Sequence, residues 1–518
     1  MKTSNAATRV LLVIALALAA TLTAATARAQ ASLYVPLDDI AYRYVDALIA
    51  RGELRGLSLL ERPYNAGALS AGADTTLAHA HSAVVRSYAI ALQTALQRYS
   101  TGKADTTTAI DDPKFIVNGD VFATGQSSGE RNLMQADSHN SVTGGIGARF
   151  AMVAGPVAAM VHPILDNRLN NDPEFGGRQD RAIAGRTEDA YVSGQWRYAE
   201  LFLGRMARNW GPYPIQGLQL GSAPYTYDHL YVRAGTDLIH VSALAAKLDD
   251  AFKPDNVYAR YFYTHRLGVH YKQLEVGASE GYIAAGIGRS YDLSLVNPVN
   301  VYALTWRNER NSGNLSLGGN LAYHGGRLGN YTAELFLDDI QIDRGCTTVC
   351  KEPSSYGATL AAEGVPLWGD QKLFASYSRL SGLAYRTPEV AEQYSSFGVG
   401  LGQPFSDYDE ARVGVDLAVV PYTTVKLYGA FRRQGQGDYH LPYPPISSYR
   451  GLPGFLMGTV EHVGRLGLVG GVMLAPGVEV TGDVGYNHVT NSQHLSGVTS
   501  NAFEGTARVQ WTPRGLTF

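Results

Sequence analysis

The sequence predicts an all-β transmembrane barrel, antiparallel and of about 18 strands, with an N-terminal α-helical bundle acting as a periplasmic plug. Three observations predict it. Apolar and polar residues alternate with period two from beyond Pro113 onward. The composition, with 32 Tyr, 57 Gly and only 17% charged residues, supplies the girdle and turn residues of such a barrel. The N-terminus has the form of an export signal, and no later run reaches about 18 continuous apolar residues, so no helix is expected to cross a membrane.

Lys2 and Arg9 precede the apolar run Val10–Leu22, and Ala27-Arg28-Ala29 places small residues before Gln30. Residues 1–29 therefore read as a cleaved signal peptide, too short to span a bilayer. The mature chain divides into a helical bundle with its linker over 30–112 and a barrel over 113–518. Taking residues 1–29 away removes Lys2, Arg9 and Arg28, leaving 40 basic against 46 acidic residues and a formal charge of −6. That mild acidity argues against a nucleic-acid partner.

From Ala31 to about Tyr99 the spacing is helical. Ile40, Tyr44, Leu48 and Ile49 recur after Pro36 and Asp38, and Gly52 is a natural stop. A second helix is expected from Asp74, as N-cap, through Leu77, Val84, Val85, Tyr88, Leu92, Leu96 and Tyr99, reaching about 39 Å at ~1.5 Å per residue. His79 and His81 lie two apart on different faces and read as solvated. The polar stretch from Ser100 to Pro113 reads as a linker.

Beyond it the ladders are explicit. Val413, Val415, Leu417, Val425 and Leu427 are expected to face lipid, with Asp416 and Lys426 in the lumen. Val478–Tyr486 and Phe503–Trp511 repeat the pattern, with Glu479, Thr481, Asp483, Glu504, Thr506, Arg508 and Gln510 on the other face. Tyr331, Ala333, Leu335 and Leu337 form one face of another strand, and Thr332, Glu334, Phe336 and Asp338 face inward, where Glu334 could pair with an arginine. The strand should leave the membrane between Leu337 and Asp339. At the end of the chain, Phe518 and Trp511 are seven apart, so Pro513 and Gly515 are expected to bring a bulge or an early strand end. Leu201–Arg233 reads as two strands joined by a glycine- and aromatic-rich crossing, with His229, Tyr231 and Arg233 on one face and Leu230, Val232 and Ala234 on the other.

Cys346 and Cys350 stand in a C-x3-C spacing, for which a loop disulfide is favoured over a metal site because no His or Cys clusters nearby. Gly125-Gln126-Ser127-Ser128-Gly129 fits the G-x-S-x-G string of a hydrolase, but no helix follows to hold a nucleophile, and a hairpin turn is expected. There is no H-E-x-x-H, Walker loop or complete G-x-G-x-x-G, hence no catalytic, cofactor or metal site is expected. An outer-membrane hydrolase assembled only in space stays open as an alternative.

Several short segments in order, Tyr34-Val35-Pro36, Glu61-Arg62-Pro63, Asn209-Trp210-Gly211-Pro212 leading to Leu218-Gln219-Leu220 and Ala223-Pro224, Asn297-Pro298-Val299, and Glu334 through Asp339, resemble the pattern of the Wzi-type capsule assembly family. The resemblance runs over essentially the whole mature chain, though Thr387–Asp409 and the C-x3-C loop have no counterpart in it. It implies a Gram-negative outer-membrane barrel closed at its periplasmic end by helices. It further implies a lectin-like role attaching capsular or extracellular polysaccharide to the cell surface, with outer-membrane lipid and the barrel assembly machinery as the other partners. On that reading Arg205, Arg208 and Trp210 offer an aromatic face and forked donors for a glycan within six residues. The alternative is that they brace the barrel from within, paired to acids such as Glu200 or Glu334. A porin-like solute channel is the competing function, and the segment Ala31–Tyr99 argues against it, since an open channel has no use for 69 residues of largely amphipathic helix ahead of its first strand.

Overall fold

The computed structural model describes residues 31–80, 82–100, 113–135, 140–181, 184–254, 256–308, 313–339, 354–513 and 515–517. The export signal, most of the linker, His81, Cys346, Cys350 and Phe518 lie outside the described residues.

Period-two patterning can bury one face of a strand only if the sheet provides an inside, and here it does so by closing. The fold is a closed antiparallel barrel of 18 long strands. Each strand pairs with the next in sequence, and the first, Lys114–Gln126, pairs with the last, Thr499–Trp511, so no edge is left open. After Trp511 the chain leaves the ladder and rejoins it at Leu516–Thr517, opposite Ile116 and Val117. This is the early strand end expected around Pro513 and Gly515.

One barrel end carries tight turns, such as Gly155–Pro156 and Lys272–Gln273, and the other carries long segments, such as 206–227, 381–407 and 435–460. Val413, Leu427, Leu335, Leu468 and Val509 are exposed on the outer wall, while Asp416 and Glu334 are buried on the inner one. Exposed Tyr271, Tyr323, Tyr331, Tyr422 and Trp511 ring the tight-turn end, and Phe431, Tyr486 and Phe503 mark the upper margin of the belt. An apolar belt between two aromatic girdles is the outer surface of a barrel solvated by lipid. The Asn330–Asp339 strand shifts register between Leu337 and Asp339, where the sequence expected it to leave the belt.

The N-terminal segment folds as three helices, α1 (Ala41–Ile49), α2 (Ala66–His79) and α3 (Ala83–Leu96). The expected 26-residue helix from Asp74 is thus two helices. Asn65 caps α2 by accepting from the Ala68 N–H, Ser82 caps α3 by accepting from Val85, and Asp74 lies inside α2. The apolar spacing ran on across the break, but a serine able to cap ended the first helix in favour of a second. His79 is exposed and its Nδ1 lies 3.0 Å from the Thr75 carbonyl.

The helices sit at the tight-turn end. Tyr44 Oη donates to the Tyr422 carbonyl at 2.8 Å, Tyr88 Oη donates to Thr423 at 3.0 Å, and Asn330 Nδ2 donates to the last carbonyl of α1, on Ile49, at 3.1 Å. Gly52 ends α1 with φ +80°, and a Cβ there would come within 2.9 Å of the Gly326 backbone, so this position needs glycine for both conformation and clearance. One continuous core joins α1 and α3 to inward side chains of the wall, such as Phe202, Tyr231, Phe262 and Phe336, and to segments that enter the lumen from the other end.

Candidate functional site

The crossing between Ala199–Arg205 and Asp228–Gly235 folds into the lumen and becomes part of its filling. Asn209–Trp210 pairs antiparallel with Glu61–Arg62, and the Trp210 N–H donates to Leu220 at 2.8 Å. Asn209 ties the bend by donating to Ile215 at 3.0 Å and accepting from the Gly217 N–H at 2.7 Å. Two tyrosines from the 381–407 segment hold the next residues, Tyr385 Oη donating to Leu218 at 2.5 Å and Tyr394 Oη to Gln219 at 2.7 Å.

The three sequence candidates in this crossing do not share one surface. Arg205 lies at the strand end, forked onto Asp228 at 3.1 and 2.5 Å. Arg208 is buried, with its guanidinium 3.7 Å from the Tyr231 ring centre and its Nε donating to His229 at 3.0 Å. Trp210 is 3% exposed and belongs to the core. The acids named as their counterions are used otherwise: Glu200 accepts from Tyr34 Oη, and Glu334 accepts from the Leu218 N–H at 3.0 Å. Glu334, which the sequence reading left able to pair with an arginine, is turned instead to the inward crossing, whose buried backbone N–H groups need an acceptor. Asp338 does the same for the Tyr385 N–H at 2.7 Å. Ser127, within the G-x-S-x-G string, follows the end of its strand and its hydroxyl donates to Glu504.

Inside the barrel lies a polar chamber of about 640 Å³. α1 contributes Arg43 and Asp46, the wall contributes Glu410, Arg412, Lys426, Arg432 and Arg465 among others, and Arg131–Met134, Pro214–Gln216 and Gln403–Phe405 complete the lining. The lining holds six cations (Arg43, Arg131, Arg412, Lys426, Arg432, Arg465) and six acids (Asp46, Glu174, Glu363, Glu410, Asp416, Asp483). Most are matched. Arg432 forks onto Glu410 at 3.0 and 2.5 Å, Arg465 reaches Asp483 at 2.8 Å, and Lys426 reaches Glu363 at 3.3 Å. Asp416 is met at 2.9 Å by Arg51, from the turn after α1. Substituting Asp416 by Asn, which the alternation alone would make harmless, therefore removes the counterion of a buried arginine.

Two features set the chamber apart from a fully matched core. Among the described residues Arg43 has no acidic partner within 4 Å, yet it lines both this chamber and an adjoining one of about 250 Å³. Aromatic faces also border the space, with Arg432 4.5 Å from the centre of Phe405 and Arg412 4.8 Å from that of Tyr428. Fixed forked donors, carboxylates and aromatic rings around water-sized space can hold a hydrated, hydroxyl-rich ligand. The sequence hid this site, because its residues come from strands far apart in the chain and each reads alone as an ordinary inward polar position. Among the described residues no group of three or more His, Cys, Asp or Glu is placed to hold a metal ion.

The long segments join above. Asp407, buried at a bend with φ +59°, accepts from the N–H groups of Gly437, Leu456 and Met457 at 2.8, 2.6 and 2.8 Å. His440 is placed between Asp438, 2.6 Å away, and the Gly398 carbonyl at 2.5 Å. The Asp438 carboxylate raises its pKa above the ordinary imidazole value. Burial pushes Glu392, within the 381–407 segment, up to about 7, and Glu389 adds to the shift.

The closed barrel and its apolar belt define an outer-membrane type of β-barrel. Among solved structures the chain is similar to Wzi of Escherichia coli, described as an outer-membrane protein involved in group 1 capsule assembly and a carbohydrate-binding β-barrel, with TM-score 0.61 and 12% identity over 92% of this chain and 98% of that one. OprD of Pseudomonas aeruginosa aligns with TM-score 0.42 and 11% identity over 81% and 98%, and the outer-membrane protein OpdK of the same organism with 0.43 and 13% over 79% and 99%. No protein-family model matches the sequence, and no curated protein matches it.

Proposed function

We propose that this chain is a plugged barrel of the Gram-negative outer membrane that holds a long polysaccharide, such as a capsule, at the cell surface without catalysis. On this reading the helices lie at the periplasmic end, where outer-membrane barrels carry their short turns, and the long segments face outward. The observation that carries it is the packed lumen: the helices, the Trp210 crossing and the 381–407 segment share one core, yet a polar chamber of about 640 Å³ is left among them. A solute channel needs an unobstructed path, whereas a binding protein needs a walled, hydrated recess. The similarity in fold to a barrel described as carbohydrate-binding is consistent with this reading and does not carry it.

A channel has one observation in its favour. The chamber adjoins the 250 Å³ cavity, which in turn shares Asp38, Asp39, Ile40 and Thr481 with a third cavity of about 50 Å³, a narrowing polar series along the inner wall. The deciding experiment pairs surface retention of capsule with planar-bilayer recording of the purified protein. Loss of surface capsule on deletion, restored by the full chain, together with no steady current through the intact barrel, supports the proposal. Large steady currents with normal capsule would replace it by the channel.

A further inference from the structure

Residues 288–308, after the Leu274–Ile287 strand, do not cross the lumen or stand above the barrel. They fold down over the outside. In the Asn256–Tyr271 strand Phe262 and Arg266 point inward, Phe262 into the core and Arg266 onto Glu61, so Tyr261, Tyr263 and His265 point outward. Across the ladder Tyr263 pairs with Tyr282 and His265 with Glu280, which places Glu280 on the outer wall too. Glu280 lies six residues from Leu274 at the tight-turn end, about 15 Å up a tilted strand, inside a belt about 25 Å tall. Its neighbour on the next strand is Leu317, exposed on the same wall.

An outward carboxylate at that level is costly unless something covers it. His265 Nε2 stands 3.2 Å from Glu280, and the N–H groups of Tyr302 and Ala303, from the overlying segment, donate to the same carboxylate at 2.6 and 3.4 Å. The Tyr302 ring lies 4.2 Å from the His265 ring, the Asp292 N–H donates to Tyr263 Oη at 3.0 Å, and Tyr261 Oη donates to the Arg289 carbonyl at 3.2 Å. Leu295 and Tyr302 are buried beneath, against Tyr261, Tyr263 and Tyr282 and the small Ala245 and Ala284 of the wall. The other side of this strap bears Leu293, Val299, Val301 and Leu304, exposed by 64, 75, 44 and 58%.

We infer that residues 288–308 are a membrane anchor laid on the outer wall, whose apolar side enters the acyl region of the surrounding bilayer. The occupant is chosen by continuity. The exposed apolar strap residues adjoin the barrel's own belt, where Leu317, Leu321 and Val276 are exposed beside it, so apolar surface continues from wall to strap. Within the strap, Asn300 Nδ2 donates to Ser294 and Thr305 at 2.8 and 2.9 Å, and Asn297 Oδ1 accepts from the Val299 N–H at 3.2 Å.

The test places nitroxide labels by Val299→Cys and Leu304→Cys in the full chain carrying Cys346→Ser and Cys350→Ser, refolded in phospholipid vesicles. Val413→Cys serves as the belt reference and Leu441→Cys as the water reference. Labels at 299 and 304 relaxed by oxygen several-fold more than by a water-soluble nickel chelate, as at 413, support the anchor. Nickel access like that at 441 overturns it. Shielding from both agents with dipolar broadening between molecules also overturns it, in favour of a second copy of the chain. Nickel access at 413 itself would overturn the membrane reading together with the anchor, and none of these outcomes touches polysaccharide binding. Glu280→Ala, which removes the acceptor of the strap's N–H groups, is expected to increase label mobility at 304 and leave 413 unchanged. Unchanged mobility at 304 would overturn the proposed seat.

Discussion

Arg43 and Arg266 illustrate opposite uses of a cation inside the barrel. Arg266 is fully buried and held by Glu61, whose carboxylate also accepts from His240 at 2.7 Å and from Ser242 at 3.2 Å. Removing that carboxylate leaves Arg266 only the more distant Glu275, 3.8 Å away, so Glu61→Ala is expected to destabilise the fold, by up to about 3–5 kcal/mol, read from the urea midpoint at which heat-modifiable gel mobility is lost. A midpoint equal to that of the unaltered protein would mean that Glu275 and Asn320, 3.8 and 3.1 Å from Arg266, suffice. Arg43 is half-buried, with no acid within 4 Å among the described residues to strand. Arg43→Ala should therefore leave the midpoint unchanged and weaken polysaccharide binding about tenfold, the worth of one charge-assisted hydrogen bond, in a titration of purified barrel with isolated capsule. Unchanged affinity would show that Arg43 does not touch the polysaccharide.

The strands were legible because alternation is a local property. Val413, Val415 and Leu417 against Asp416, and Val425 and Leu427 against Lys426, take the sides the pattern assigns, and register confirms it by pairing Val415 with Leu427 and Asp416 with Lys426. Leu427 lies about midway between the girdle residues Tyr422 and Phe431, so Val415→Arg should impair insertion by about 2–4 kcal/mol, measured as the folded fraction in vesicles; equal folding of the variant would refute the midplane assignment. The roles of inward residues were not legible. A buried Trp210 and an exposed one have the same neighbours in sequence, and what decides between them is a partner strand at Glu61–Arg62, about 150 residues away. The long segments carry a pH dependence of definite sign. The raised pKa of His440 gives a stabilisation that is complete below the ordinary imidazole range and is lost as pH rises through the folded value. The raised pKa of Glu392 disfavours its ionised form in the fold, so stability also falls as pH rises from the ordinary glutamate range to about 7. Proteolysis within 381–407 and 435–460 should accelerate between about pH 5 and pH 8, and His440→Gln should flatten the upper part of that rise. A protection profile independent of pH would exclude both groups.

At the scale of the whole molecule the closed lumen predicts that intact protein in a planar bilayer passes no large steady current, and that deleting residues 31–100 opens one, because Arg51, Arg98 and Tyr88 leave the wall with the helices. Currents alike in both forms would show that the helices do not seal the barrel. The seats of these helices carry a further consequence. Arg98 meets Glu479 across 381 positions of sequence, and Tyr44 accepts from the Met473 N–H across 429. The helices thus complete their seats only when the last strands are in place, and contacts of such sequence separation are slow to form. The strands from Glu461 onward complete both the wall and the socket of the N-terminal helices, so closure and full docking should be coupled: chains truncated before Glu461 keep the seats at Asp416, Tyr422 and Thr423 but lose those at Met473 and Glu479, and should open the helices to protease sooner than the full chain does.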